Sequence, residues 1–265
     1  MADTTDDDQH VKPYVFESRG AKALHFSISE IQSRMQLDDP QGLDLAYTRT
    51  MMASLLFQPD PRRITMIGLG GGSLAKFCHQ HLPQAQIQVA EINPHVIALR
   101  DDFDIPPDSA RFQVLRADGA RFVRSPAAAA DLLLIDGFDY DGLPEVLGTQ
   151  RFYDDCHACL QPGGLLVQNL HLGDARYPVL VDRVRRSFDD AVLVVDDSDK
   201  SNSIVFACKG TALAQYRPGI VRPPPGLSPV AATQLLGAFA TVISALKAQR
   251  LVADRPRPTP PTKPQ

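Results

Sequence analysis

The apolar run "ITMIG" gives way to the glycine-rich "LGGGS" and resumes as "LAKF" across residues 64 to 77. Few folds accept that order. The first run is short and reads as a buried strand, the glycines permit a sharp turn, and the residues after them open a helix. A strand, a glycine loop and a helix in succession start the doubly wound α/β folds, whose loop lets a nucleotide approach the backbone. The candidate loop residues are Gly68, Gly70, Gly71 and Gly72. Alone they do not say which nucleotide, and tight strand–helix packing without a ligand would use the same glycines.

The alternation continues downstream. "IQVAEI" is a second strand, after which Asn93 caps a helix carrying Pro94 in its first turn and Val96, Leu99 and Phe103 on one side. "RFQVLRA", "DLLLID" and "GLLVQNL" are further strands, and "QPGG" ends the helix before the last of them. "AVLVV" and "SIVFAC" are joined by "DDSDKSN", too short for a crossover helix, so the two pair antiparallel. The expected fold is α/β: a doubly wound, mostly parallel seven-stranded sheet with a reversed edge strand.

Flanking segments differ in texture. "YVFES" and "ALHFSIS" predict a small N-terminal β-hairpin subdomain, and "LDLAYTRTMMASLLF" a helix with Leu45, Met52, Leu55 and Leu56 on its apolar face. Beyond a proline-rich linker, Ser228 and Pro229 open a helix with Val230, Leu235, Leu236, Phe239, Val242, Ile243 and Leu246 on or near its stripe. The expected organisation is a disordered acidic tail at 1–12, a hairpin subdomain at 13–42 and a Rossmann-like catalytic domain at 43–212. A linker with the C-terminal helix fills 213–253, and a disordered proline-rich tail 254–265.

Composition narrows the function classes. A chain of 265 residues with 44% hydrophobic content fills a core without disulfide or metal staples. A net charge of −4 with no basic stretch argues against nucleic acid. The acidic start is the opposite of a signal peptide, and no apolar run approaches the roughly 18–20 residues of a membrane span. The expected place is the cytoplasm, with no membrane and no metal. Cys156 and Cys159 lie on one apolar helical stripe with Phe152, Tyr153 and Leu160 and read as buried thiols, while His79 and His81 read as solvated.

Four acids stand where strands end. Glu91, about 20 residues beyond the loop, is placed to accept hydrogen bonds from ribose hydroxyls. The third glycine of a nicotinamide-type loop is replaced by Ser73, which decides little. Asp118-Gly119, after the third strand, discriminates better, because an aspartate there accepts from an adenine amino group. With the "PGG" turn and terminal hairpin, the pattern resembles the class I S-adenosylmethionine-dependent transferase fold. Asp136 and Asp139 follow the fourth strand, where two carboxylates could hold a cationic amine and one could take its proton. "DYDG" is also a strong turn sequence, so both aspartates have a bland reading as turn formers.

The order of the glycine loop, "VAEINP", "ADGARF", "IDGFD", "GTQRFY" and "LQPGG" resembles the spermidine synthases, or polyamine aminopropyltransferases, over about residues 14 to 208. That resemblance implies an aminopropyl transfer from an S-adenosylmethionine-type sulfonium to an amine or polyamine. The donor is decarboxylated or intact S-adenosylmethionine as co-substrate, with no prosthetic group. It further implies that Glu91 binds the ribose and that Asp118 and Gly119 bind the adenine. Asp136 would be the proton acceptor, Asp139 would hold the amine, Gln32 would lie near the nucleoside's tail, and the assembly would be a homodimer.

Two departures matter. Spermidine synthases carry an aspartate in the loop where this chain has Gly71, and their Tyr-His-Glu type cluster aligns with Thr48, Arg49 and Thr50. Arg49 is therefore expected to face a carboxylate, on a substrate or on intact S-adenosylmethionine, or else to be a solvent-facing helix arginine. The alternatives are a methyltransferase on the same fold and a non-catalytic nucleoside-binding relative.

Overall fold

The computed structural model describes residues 10–26, 31–197 and 201–253; most of both expected tails, and part of the "DDSDKSN" turn, lie outside them. Three strands, β1 (Tyr14–Ser18), β2 (Ala21–His25) and β3 (Ile31–Gln36), form an antiparallel N-terminal sheet. The expected hairpin thus has a third strand, whose inward side chains Ser33 and Met35 are buried. Residues 27–29 of "ALHFSIS", together with Glu30, lie outside the described residues. Helix α1 (Ala46–Met52) begins after an extended Leu45 and ends in a 3-10 turn, Ala53–Leu56, so it is shorter than its apolar pattern predicts.

The main sheet contains β4 (Arg63–Ile67), β5 (Gln86–Glu91), β6 (Phe112–Arg116), β7 (Ala130–Ile135), β8 (Leu160–His171), β9 (Val192–Asp196) and β10 (Asn202–Cys208). Their order is β6-β5-β4-β7-β8-β10-β9. β10 is antiparallel to both β8 and β9, so the reversed strand is the penultimate one and β9 is the edge. That corrects the expectation of a reversed edge. The physical signal is burial: β10 is buried over six consecutive residues, as an interior strand must be, whereas β9 ends in exposed Asp196.

Helices α2 (Ser73–His81), α3 (Pro94–Ile97), α4 (Gly119–Phe122), α5 (Gln150–Cys159), α6 (Tyr177–Ser187) and α7 (Ala212–Gln215) connect or flank these strands. Alternation along β7 sends Leu132 and Leu134 to one face and Leu133 and Ile135 to the other; both faces are covered, which explains the unbroken apolar run.

Helix α8 (Pro229–Ala253) packs on α1 and β9. Ala231, Leu235, Phe239, Val242, Ile243 and Leu246 are buried, but Val230 and Leu236, expected on or near the stripe, face outward. Residues Pro229–Val252 are long and apolar enough, by length and composition, to cross a membrane, which corrects the sequence expectation. Interspersed Thr, Gln, Ser and Gly residues hide this in the sequence. One face of the helix is part of the core.

The two histidines of α2 are also corrected. His81 is buried, tilted against Phe77, with Nδ1 2.9 Å from the Ser228 hydroxyl; His79 meets the Phe112 ring edge. Cys156 is buried and Cys159 half-buried, and burial pushes both thiols up, as expected of core cysteines.

Candidate active site

β4 to β7 run parallel, so the loops after them share one edge of the sheet. Gly68 follows β4, Glu91 ends β5, Asp118 and Gly119 follow β6, and Asp136 and Asp139 follow β7. All line one cleft of about 1160 Å³, with Gly70 and with Gln32 from β3. A pocket for one small ligand holds roughly 300–1,000 Å³, so this one has room for two small molecules together. Gly71 and Gly72 are not on its wall; they turn toward Phe103 and Ile105.

Gly68 joins the halves of the cleft. Its φ is +91°, and a Cβ there would stand 2.2 Å from the Asp136 carbonyl oxygen. The Asp136 N–H donates to Ile67 O at 2.9 Å, so the β4–β7 ladder continues into the loop and fixes Asp136 beside the glycines.

At the β5–β6 end of the cleft, Glu91 accepts the Leu69 N–H at 2.9 Å and the Asn93 N–H at 2.8 Å. Burial raises its pKa and the backbone donors oppose that. Asp118 caps α4 by accepting the Ala120 N–H at 2.8 Å. His10 and Val11 line the cleft at this end, and Asn93 Nδ2 donates to Val11 O at 2.9 Å.

At the β7–β8 end, Tyr47 OH on α1 donates to Asp136 Oδ2 at 2.9 Å and Asn169 Nδ2 on β8 donates to Oδ1 at 3.0 Å. Burial pushes the Asp136 pKa up, against these hydrogen bonds and the nearby His171. Burial and the Asp136 charge hold the Tyr47 phenol well above its ordinary range, so it remains a donor. A carboxylate gripped on both oxygens and more basic than usual is equipped to receive a proton from a bound amine.

Asp139 is exposed. Its Oδ1 accepts the Asp141 N–H at 2.9 Å in a turn closed by Asp139–Gly142 pairing. It forms the turn that "DYDG" predicts while also bordering the cleft. Six acidic residues line the cleft against one arginine among the described residues, and that arginine, Arg176, is paired with Asp174 at 2.7 Å. Low-dielectric walls of one charge sign concentrate oppositely charged ligands, here cations.

No protein-family model matches the chain. Its curated relatives include a polyamine aminopropyltransferase of Chromobacterium violaceum, 39% identical over 194 residues, covering 73% of this chain and 74% of that protein. The chain belongs to the polyamine aminopropyltransferase family. An aminopropyltransferase of Neisseria meningitidis serogroup A is 35% identical over 203 residues, 76% of this chain and 77% of its own. Among solved structures, a probable spermidine synthase from Corynebacterium glutamicum superposes with a TM-score of 0.66 at 19% identity, covering 96% of this chain and 95% of its own. Human methyltransferase-like protein 13, solved with SAH, gives 0.57 at 22% identity over 82% and 96%. These two show the shared fold.

Within the aminopropyltransferase family, the two departures noted in the sequence now have geometry. A Cβ at Gly71 would lie 2.7 Å from Ser33 Oγ and 2.8 Å from the Phe103 ring, so the place of the loop acid is filled. Buried Lys76 holds that filling: its Nζ donates to Phe103 O at 2.7 Å and approaches Met35 Sδ at 3.0 Å, and burial lowers its pKa to about 8.

Arg49 does not line the cleft. Its guanidinium donates to the carbonyls of Leu43 and Asp44, securing the turn before α1, and the expectation that it faces a substrate carboxylate is withdrawn. Tyr47, two residues earlier, is the α1 side chain that reaches the site, and the sequence reading did not single it out. Its signal was a phenol at the start of a helix otherwise burying Thr48, Thr50, Met51 and Met52.

Proposed function

We propose that this aminopropyltransferase-family member moves the aminopropyl group of decarboxylated S-adenosylmethionine to an amine, most simply a polyamine. Glu91 takes the ribose hydroxyls, and Asp118 with Gly119 takes the adenine edge. Gly68 and Gly70 allow close approach of the loop, Gly71 and Gly72 shape it from behind, and Gln32 lies beside the donor's tail. Asp136, oriented by Tyr47 and Asn169, accepts a proton from the acceptor ammonium while Asp139 helps hold the amine. The freed nitrogen attacks the carbon next to sulfur, the C–S bond breaks with its electrons going to sulfur, and methylthioadenosine leaves. The sulfonium is already a good leaving group, so the protein's work is to orient and deprotonate. The observation that carries this reading is the doubly hydrogen-bonded Asp136 in an acid-lined cleft large enough for two ligands.

A second reading is methyl transfer from intact S-adenosylmethionine, favoured by the filled site at Gly71. Turnover with each donor against a panel of amines separates the two: methylthioadenosine marks aminopropyl transfer and adenosylhomocysteine marks methyl transfer. Absence of both products with every amine defeats both readings. The family resemblance also supports a homodimer working in the cytoplasm, which light scattering and cell fractionation test.

A further inference from the structure

Arg176, the residue before α6, is the one arginine or lysine on the cleft wall among the described residues. Its partner Asp174 lies two residues back, and so local a pair usually does no more than shape a turn. Part of it does that: the Arg176 N–H donates to Asp174 Oδ1 at 2.8 Å. The guanidinium does more. Nε donates to Asp174 Oδ1 at 3.1 Å and Nη2 to Oδ2 at 2.7 Å, so both oxygens are gripped. Nη2 also donates to Leu143 O at 2.8 Å. Leu143 follows Asp136 and Asp139 on one cleft-lining stretch, so the fork ties the loop after β8 to the loop after β7.

Of the six acids on the cleft wall, Glu91, Asp118, Asp136 and Asp139 are assigned above to the nucleoside or the reacting amine. Asp141 stands exposed on the rim, where solvent and salt screen it. Asp174 is half-buried, and the Arg176 hydrogen bonds hold its carboxyl below the usual range, so it is ionised at neutral pH. It is the remaining acid suited to a further ammonium, and it is occupied. A carboxylate gripped on both oxygens by a guanidinium has little left for a second cation. We propose that Arg176 is a positioning residue for acceptor specificity: by neutralising Asp174 it favours a diamine over a longer triamine, whose extra ammonium finds no anchor there. Arg176 acts through Asp174 and touches no reacting atom. This inference rests on the amine-transfer reading above.

The test is methylthioadenosine release with decarboxylated S-adenosylmethionine as donor. The acceptor is either 1,4-diaminobutane or N-(3-aminopropyl)-1,4-diaminobutane. The quantity read is the triamine-to-diamine ratio of kcat/KM, which cancels the fraction of a variant that is folded. The wild type is expected to prefer the diamine. Arg176→Met frees the Asp174 carboxylate and should raise the ratio about tenfold, through the triamine's KM. That is the low end for a charge-assisted hydrogen bond, because the pair is partly exposed. Asp174→Asn leaves the guanidinium without its counter-charge and should lower the ratio about tenfold, since like charge repels the triamine more. The double variant should return to within about threefold of wild type, because acid and mask leave together. Arg176→Met and the double variant both lose the Leu143 contact. A ratio still raised in the double variant therefore assigns the effect to the loop tether and overturns the proposal. A wild type that prefers the triamine, or a ratio that either single variant leaves unmoved, overturns it too and leaves amine transfer standing. No methylthioadenosine from the wild type with either amine overturns both.

Discussion

Replacing Tyr47 with Phe removes one hydroxyl and keeps the ring. That hydroxyl donates to Asp136 Oδ2 at 2.9 Å, and Asn169 remains on the other oxygen, so the carboxylate keeps its orientation. A hydrogen bond to an ionised group contributes about 1.5–3 kcal/mol, and one pKa unit corresponds to about 1.4 kcal/mol. Losing it therefore raises the Asp136 pKa by about one to two units beyond the level to which burial already lifts it. A general base works deprotonated, so the rate climbs with pH to a plateau. The Tyr47→Phe acid limb is expected to sit one to two units higher, with the rate on the limb about 10–100-fold lower and the plateau little changed. The assay is kcat/KM from methylthioadenosine release between pH 5 and 9 at saturating donor. An acid limb that stays where it was, or an equal fall at every pH, refutes the assignment of Tyr47 as the group that tunes Asp136.

Asp136→Asn should cut turnover by about 10²–10⁴-fold yet raise thermal stability at pH 7. The sign follows from the raised pKa: the folded protein holds this proton more tightly, so stability is fullest below the unfolded value and is lost as pH rises through the folded one. An amide avoids that loss, and the partnerless Asn169 Oδ1 can accept from it; calorimetry should show about 2–4 °C in Tm for each kcal/mol recovered. Glu91→Gln should weaken methylthioadenosine binding by about one to two decades, read by titration calorimetry, through loss of charge-assisted hydrogen bonds. Gly71→Asp, which installs the family's loop acid, should cost about 1–3 kcal/mol in urea unfolding, because the new Cβ meets Ser33 and Phe103. Pairing it with Ser33→Gly should recover part of that cost.

Strand-end acids were legible because parallel strands force their C-terminal loops together. Position in the alternation was enough to place Glu91, Asp118 and Asp136 around one cleft. Asp139 was legible in both its roles, since a turn and a cleft rim are the same stretch of chain. Tyr47 was not, because its reach to Asp136 depends on how α1 lies across β8 and β10, a packing fact without a local pattern. The place of the reversed strand escaped for a related reason. A short polar turn declares two strands antiparallel without saying which one faces the rest of the sheet, and only the longer buried stretch of β10 distinguishes them. Arg49 shows the opposite error: a charge chosen for what it replaced in a motif is used up by two backbone carbonyls a few residues away.

The last helix closes over the first, since α8 packs on α1 and on the 3-10 turn that extends it. Met51, Met52 and Leu55 on the early segment and Leu235, Phe239 and Val242 on the late one share a single cluster. Roughly 180 residues separate the two, and at about 5–20 residues per second a ribosome needs on the order of ten to forty seconds to make them. Throughout that interval the side of α1 that faces α8 lacks its cover, on the helix that also bears Tyr47, the partner of Asp136. Closing that part of the core therefore waits for α8, and chains cut short before residue 229 should emerge with an apolar face of α1 uncovered.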